Sequence, residues 1–143
     1  MTDRASDALS EEAEILFRQI HPSFVRDGRV SGQAFRPTPK DKRMLSVARS
    51  SMTDAQAAFK RHTECLKLSS LGTWGVTVGE CAALGLSVRP NPITEPPCPD
   101  PAHALVDFSA LSNSKVEAQG TRLARLANDR GRLHPLDKSN GNE

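Results

Sequence analysis

Alternating apolar and polar residues predict the strands of this chain. Trp74, Val76 and Val78 alternate with Gly75 and Thr77, a pattern typical of a half-buried strand. An Asp-Gly pair, Asp27-Gly28, is a strong turn signal, and small residues follow it. Further strands are predicted at residues 29–35, 44–47, 86–88 and 104–108.

The first apolar segment supports two interpretations. Leu9, Ala13, Leu16 and Ile20 recur at helical spacing, with Ser10 in position to cap a short helix. Residues 15–20 also alternate as a strand would. Pro22 disfavours helix in the residue before it. We expect a helix that ends near Glu14, followed by a strand that runs into His21.

Two capping boxes predict longer helices. Thr53 and Gln56 stand in front of an apolar face that includes Phe59 and Leu66, which predicts a helix over residues 54–67. In the same way, Ser114 and Glu117 precede an amphipathic segment that ends at Gly131. Between them, residues 80–84 form a helical turn that Gly85 ends, and residues 89–101 form an extended proline-rich loop.

The order of these elements predicts an α+β fold. Strands do not alternate regularly with helices, which argues against a doubly wound parallel sheet. With 143 residues the chain has room for a single compact domain. We expect a small mixed or antiparallel sheet flanked by two or three helices and proline-rich loops. The domain should span residues 9–134, between a disordered N-terminus at 1–8 and a disordered tail at 135–143.

Charge, hydropathy and cysteine content narrow the functional classes. The 19 basic and 17 acidic residues are too balanced to predict nucleic-acid binding. No apolar run reaches transmembrane length, and residues 1–12 carry four acidic residues with no apolar signal core. The three cysteines are odd in number and lack metal-ligand spacing, so we expect reduced thiols, no metal site and a cytoplasmic location.

Five strings give the chain a recognisable signature. They are RQIHPSF at 18–24, QAFRPTPKD at 33–41, LSV at 45–47, WGVTVGE at 74–80 and HALVDF at 103–108. Together they resemble a family of small uncharacterised bacterial proteins, over residues 16 to 131. The resemblance implies a bacterial origin and no particular activity.

One candidate active site comes from the order of three residues. His21, Ser46 and Glu80 each lie in or beside a predicted strand, an order similar to that of ADP-ribosyltransferases. His21 would bind a ribose hydroxyl of NAD, and Ser46 or Ser50 would help to shape the nicotinamide site. Glu80 would stabilise an oxocarbenium-like transition state. The chain has no Tyr to stack on nicotinamide. This enzyme, an NAD-dependent transferase or glycohydrolase, is the alternative hypothesis.

The preferred hypothesis is a partner-binding or accessory protein that needs no cofactor, of the kind found in antitoxin or defence systems. Specific polar residues on proline-stiffened loops usually position a ligand. An anionic small molecule would be held by cationic or polar side chains, namely Arg36, Lys40, Arg49 and His103. A protein partner would contact exposed aromatic anchors, namely Phe24, Phe35 and Trp74.

Three candidate residues have structural interpretations that we prefer. Cys81 lies beside Glu80 near a helix start, where a thiol could be activated, but a small buried residue is favoured. His62 lies between Phe59 and Leu66 on an apolar helix face and is expected to be a packed or half-exposed core histidine rather than a base. His103 could pair with a carboxylate as a general base, but hydrogen bonding to the proline-rich loop is preferred.

Overall fold

The computed structural model describes residues 8–38 and 42–136. It confirms an α+β fold in one compact domain. The described strands are β1 Ile15–Ile20, β2 Val25–Arg26, β3 Arg29–Val30, β4 Met44–Arg49, β5 Gly72–Thr77, β6 Ser87–Pro90 and β7 His103–Asp107. The described helices are α1 Ala55–Lys60, α2 Val78–Ala83 and α3 Asn113–Arg130, with 3₁₀ turns at Pro22–Phe24 and Gly32–Phe35. The expected terminal disorder falls almost entirely outside these ranges.

The main sheet is antiparallel throughout, with strand order β5-β1-β4-β7-β6. β1 pairs along its whole length with β5, from Ile15 opposite Thr77 to Ile20 opposite Gly72. Its ladder with β4 contains only Leu16 and Phe17 on the β1 side. β1 and β4 therefore separate beyond Phe17, which leaves a gap between these two neighbouring strands.

The two faces of the sheet are covered unequally, because side chains alternate along each strand. One face packs on α3 and forms the main core. Its largest fully buried members include Phe35, Phe108, Leu16, Leu45, Leu123 and Val106. The other face carries a small cluster of Phe17, Ala48 and Ala102, against which α1 packs through Ala55 and Ala58. The second face is therefore the thinly covered one.

A close backbone contact fixes α3 against the 3₁₀ turn at Gly32–Phe35. A Cβ atom at Gly120 would lie 2.5 Å from Arg36 Cγ and 3.0 Å from the Gly32 carbonyl oxygen. A Cβ at Gly32 would lie 2.7 Å from Thr121 Oγ1. Both glycines therefore permit an approach that a larger residue would prevent.

The predicted N-terminal helix is wrong, whereas the strand after it is confirmed. Leu9 donates its backbone N–H to the Val88 carbonyl at 2.8 Å, so this segment runs beside β6 rather than coiling. Glu14 turns inward and is buried against Arg49. These contacts lie far apart in sequence and outweigh the local helical spacing.

Other element boundaries also differ from prediction. Asp54 and Ser112 cap α1 and α3 in place of Thr53 and Ser114, since their side chains accept the hydrogen bonds from Ala57 N and Lys115 N. The predicted strand at 29–35 is strand only at Arg29–Val30 and then becomes the 3₁₀ turn.

Strand β5 is buried on both sides rather than half-buried, and Val78 begins α2 instead of continuing it. The C-terminal segment covers its outer edge, where Leu133 and His134 exchange backbone hydrogen bonds with Thr73. The edge of a strand predicted to be half-buried is thus covered by a segment about sixty residues later.

The expectation of three reduced thiols is wrong. Cys65 and Cys98 form a disulfide across a sequence separation of 33, and Cys81 is free and buried. An odd cysteine count concealed the bridge because one of the three takes no part in it. Disulfides persist mainly in oxidising compartments, so the bridge counts against the predicted cytoplasmic location, which stays a prediction.

Candidate functional site

A pocket of about 390 Å³ opens on the thinly covered face of the sheet. Its floor is formed by β1, β4 and β7, and its walls by α1 with the helical turn after it and by the proline-rich loop at residues 91–102. We call this space the α1 pocket. Its lining includes Phe17, Ser46, Ala48, Ala57, His62 and His103. Apolar walls with a few polar groups are typical of ligand sites.

The two walls of the α1 pocket are joined covalently. After α1 the chain continues as a π-helical turn, Arg61–Cys65, and the disulfide ties the end of this turn to the loop at Cys98. Such turns often occur at functional sites. Lys67 follows with φ of 59°, a left-handed conformation that is uncommon for a residue with a side chain. The wall formed by residues 61–67 is thus an irregular helical segment that the Cys65–Cys98 disulfide holds in place.

Arg61 fastens the same two walls by hydrogen bonds. Its Nη2 donates to the Cys98 carbonyl at 2.7 Å, and its Nε lies 3.2 Å from that oxygen and 3.3 Å from the Pro99 carbonyl oxygen. Its Nη1 lies 3.7 Å from Asp100 Oδ2. Together with the disulfide, this guanidinium gives the pocket a preformed shape.

A second guanidinium lies in the floor, where β1 and β4 part. Arg18 donates from Nη1 to the Ser46 carbonyl at 2.9 Å and from Nε to the Ala34 carbonyl at 3.0 Å. The Ser46 hydroxyl is on an exposed residue that lines the pocket. Arg18 therefore bridges the two strands and places a positive charge at the pocket floor.

The surroundings of His62 disfavour its protonated form, chiefly through burial. Burial lowers the pKa of His62 below its ordinary value of 6.5, and a hydrogen bond with the Ser69 backbone opposes this. The charges of Arg18 and Arg61 lower the pKa further. The imidazole is therefore mostly neutral at pH 7.

Two more polar groups of the pocket have defined orientations. His103 Nδ1 lies 2.8 Å from the Asn91 carbonyl oxygen, so this nitrogen carries the proton and the ring holds the proline-rich loop, as preferred above. Gln19 Oε1 accepts from Thr73 Oγ1 at 2.9 Å and Ser70 Oγ at 3.1 Å. Its Nε2 is buried and has no hydrogen-bond partner among the described residues.

The structure does not bring His21, Ser46 and Glu80 together. His21 follows the Ile20 end of β1, where its Nδ1 accepts from Ser23 N at 3.0 Å. Glu80 lies beyond Thr77, which pairs with Ile15 at the other end of β1. At about 3.3 Å per residue, these two ends are roughly 16 Å apart.

Glu80 is also occupied in a structural role. It completes a capping box with Thr77 and forms an ion pair with Arg130, with 2.9 Å between Oε2 and Nη2. Burial raises its pKa, but the hydrogen bonds from Arg130 and Thr77 outweigh burial, so the pKa lies below its ordinary value. The carboxylate is thus committed to the junction of α2 with α3.

The predicted anion-binding residues are dispersed. Arg36 packs over α3 and lies 3.4 Å from Glu117, on the opposite side of the sheet from the α1 pocket. Its Nε is buried without a hydrogen-bond partner among the described residues. Lys40 lies outside the described residues. Of this predicted set, His103 lines the α1 pocket.

Arg49 is paired with a buried carboxylate at the start of the domain. Its Nε lies 3.3 Å from Glu14 Oε2, and Ser51 N donates to the same oxygen at 3.1 Å. Burial raises the pKa of Glu14, but the hydrogen bonds from Ser51 and Arg49 and the charge of Arg49 bring it below its ordinary value. This pair joins the N-terminal segment to β4.

The predicted aromatic anchors are not exposed. Phe35 has 0% and Trp74 3% of its surface accessible, so both belong to the core and cannot contact a partner. Phe24 is half-buried and packs against the same core. The exposed large apolar residues of the described chain are aliphatic, namely Met52, Leu66, Leu68, Leu71 and Leu136.

Cys81 has the structural role that was favoured. It is fully buried, and burial together with the nearby Glu80 carboxylate raises the pKa of its thiol to about 12. A thiol of this kind is not a nucleophile at neutral pH. Among residues 8–38 and 42–136, no group of three or more His, Cys, Asp and Glu side chains could hold a metal ion. No described helix is long and apolar enough to cross a membrane.

Comparison with family models, curated proteins and solved structures finds no match to this chain. The resemblance to a bacterial family therefore stays a prediction. Most of the α1 pocket was missed by sequence reasoning, including Phe17, Arg18, Gln19 and Arg61. The alternation of Phe17 and Gln19 on one strand face was visible, but nothing local indicated that α1 would leave that face partly open.

Proposed function

We propose that this protein is a ligand-binding accessory protein and that the α1 pocket is its binding site. The observation that supports this proposal is that the disulfide and Arg61 join both walls of the pocket, and a space of about 390 Å³ lies open between these walls. This volume is within the range of small-molecule sites, which are usually largely preformed. In a close-packed protein interior, side chains would fill a space of this size.

The NAD-dependent alternative is not retained. It required His21 and Glu80 to converge on one substrate, and they lie at opposite ends of β1. Ser46 alone of the three lines the α1 pocket. Binding of a small ligand requires only the α1 pocket, whereas the transferase reaction requires all three residues in one site.

Fragment binding followed by NMR tests the proposal. Small organic fragments at millimolar concentration should shift the backbone amide signals of pocket residues such as Phe17, Ala48 and His62. Ala57→Trp places an indole on the pocket wall and should abolish these shifts, whereas Gln56→Trp, one position away and outside the lining, should preserve them. Absence of shifts in the wild type, or shifts that Ala57→Trp leaves intact, would refute the proposal.

A protein partner is a second candidate, favoured by exposed leucines at the pocket rim. Leu66 is 38% and Leu68 51% accessible, and both line the α1 pocket. Clustered exposed apolar residues often mark interaction sites. Peptides selected from a displayed library should lose binding to Leu68→Ser and keep it with Leu136→Ser, an exposed leucine outside the lining. Equal binding to both variants would exclude the rim as the docking surface.

A further inference from the structure

We propose that the ligand of the α1 pocket is a small uncharged molecule that carries a hydroxyl group on an apolar body. This inference rests on the proposed ligand-binding function and adds the chemical class of the ligand. Three properties of the lining support it. Its charged groups are bonded within the protein, its walls are apolar, and two polar groups of its floor have hydrogen-bonding capacity to spare.

The charged side chains of the lining are engaged with other parts of the protein. Arg61 donates to the Cys98 carbonyl at 2.7 Å and lies 3.7 Å from Asp100 Oδ2. Asp100 accepts from Ala102 N at 3.1 Å through its other oxygen, and Arg18 donates to backbone carbonyls from Nε and Nη1. A charged ligand would lose its hydration on entering, and the Arg61–Asp100 pair would not replace it. A neutral ligand avoids this cost.

The apolar part of the lining determines the body of the ligand. Aliphatic and aromatic side chains surround the polar floor, namely Phe17, Ala48, Ala57, Leu66 and Ile93. A volume of about 390 Å³ is near the lower limit for ligand sites, which favours a short chain or a single ring.

His103 supplies a hydrogen-bond acceptor on the floor of the pocket. Its Nδ1 lies 2.8 Å from the Asn91 carbonyl oxygen and 3.1 Å from Asn91 Oδ1. Since both neighbours are oxygen acceptors, Nδ1 carries the proton, and Nε2 of the neutral ring is left as an acceptor. Within residues 8–38 and 42–136, no group donates a hydrogen bond to Nε2. A ligand in the pocket can supply the missing donor.

Ser46 supplies a hydroxyl beside this acceptor. In the ladder of β4 with β7, Ser46 lies opposite Leu105 and Ala48 lies opposite His103. Ser46 and His103 are therefore diagonal neighbours on one face of the sheet, roughly 7 Å apart. The Ser46 hydroxyl has no hydrogen-bond partner in the described part of the chain.

A hydroxyl group on the ligand matches this pair of polar groups. It can accept a hydrogen bond from Ser46 and donate one to His103 at the same time, whereas a carboxylate can only accept and an ammonium group can only donate. The two floor residues thus favour the same uncharged ligand as the engaged charges of the lining.

The test compares four probes that share a phenyl ring: benzyl alcohol, benzyl methyl ether, benzoate and benzylammonium. NMR titration of the wild-type protein is done at pH 8, where imidazole groups are generally neutral. Benzyl alcohol should bind about fivefold tighter than the ether, because the ether cannot donate a hydrogen bond. Both charged probes should bind at least about tenfold more weakly than the alcohol. This comparison does not depend on whether a variant folds.

Two variants separate the two hydrogen bonds. His103→Phe keeps a ring but has no acceptor, so it should lower the affinity for the alcohol to that for the ether and leave the ether unchanged. Ser46→Ala should weaken both probes, because both oxygen atoms accept from its hydroxyl. Ser87→Ala removes an exposed hydroxyl of β6 outside the lining and should alter neither. In the wild type, the ¹⁵N signal of His103 Nε2 should shift with the alcohol and not with the ether.

Equal affinities for the alcohol and the ether, or tighter binding of either charged probe, would overturn this inference while the ligand-binding proposal stands. The inference also fails alone if fragments shift the pocket signals and none of the four probes binds. If no fragment binds, both proposals fail.

Discussion

Removing the Cys65–Cys98 disulfide tests the feature on which the pocket depends. The double variant Cys65→Ser, Cys98→Ser lacks the bond that links two positions 33 residues apart in the sequence. Loop-closure entropy for a bridge of this span amounts to about 4 kcal/mol at 25 °C, because the unfolded chain regains the freedom that the bridge removed. We expect the double variant to lose about 3 to 4 kcal/mol of unfolding free energy and roughly 10 °C in Tm.

Urea unfolding of oxidised wild type, the two single variants and the double variant measures this loss. Either single substitution breaks the same bond, so each should cost nearly as much as the double, and the losses should not add. Additive losses, or a total below about 1 kcal/mol, would refute the reasoning. Alkylation provides the chemical control: unfolded, unreduced protein should take up one alkyl group, at Cys81, and uptake at all three cysteines would show that no bridge exists.

Three further outcomes test the packing and the electrostatics. Gly120→Ala should lower the free energy of unfolding by about 1 kcal/mol, because the new methyl group crowds the 3₁₀ turn at Gly32–Phe35. This crowding outweighs the higher helix propensity of alanine, which by itself would add about 1 kcal/mol of stability. Comparing Arg125→Ala with Arg125→Gly, at an exposed position of the same helix, measures the propensity contribution. Leu123→Ala should cost about 3 kcal/mol in urea unfolding because the side chain is fully buried, and a loss under about 0.5 kcal/mol would place it outside the core. Glu14→Gln should lower the free energy of unfolding at pH 7 and should make that free energy fall less steeply in acid. The reason is that the pKa of Glu14 in the folded protein is below its ordinary value of 4.5. Such a carboxyl stabilises the fold above pH 4.5, and this contribution is lost as the pH falls through the folded pKa. The exposed Glu12→Gln is its control, and equal acid profiles for both variants would contradict the role of Glu14.

Local pattern determined much of the secondary structure. The apolar runs at 44–47 and 104–108 became β4 and β7, and Gly131 ended α3 where expected. These elements were predictable because each depends on residues within a few positions: alternation shows which face of a strand is buried, and a glycine after the last turn ends a helix. The α+β class followed from their order.

The site depended on contacts that no local pattern encodes. Cys65 meets Cys98, and Arg61 meets the carbonyl of that same residue, across more than thirty positions. Conversely, His21 and Glu80 suggested a shared site by their order, although the register of β1 with β5 places them at opposite ends.

The sequence by itself thus determined the strands at 44–47 and 104–108 and the end of α3, since these depend on residues within a few positions of one another. Tertiary structure alone decided which face of the sheet α1 leaves open, which cysteines pair, and that Arg18 and His62 share one pocket. The reason is physical. Periodicity specifies that a face must be covered, but the segment that covers it is selected by packing between residues distant in the chain.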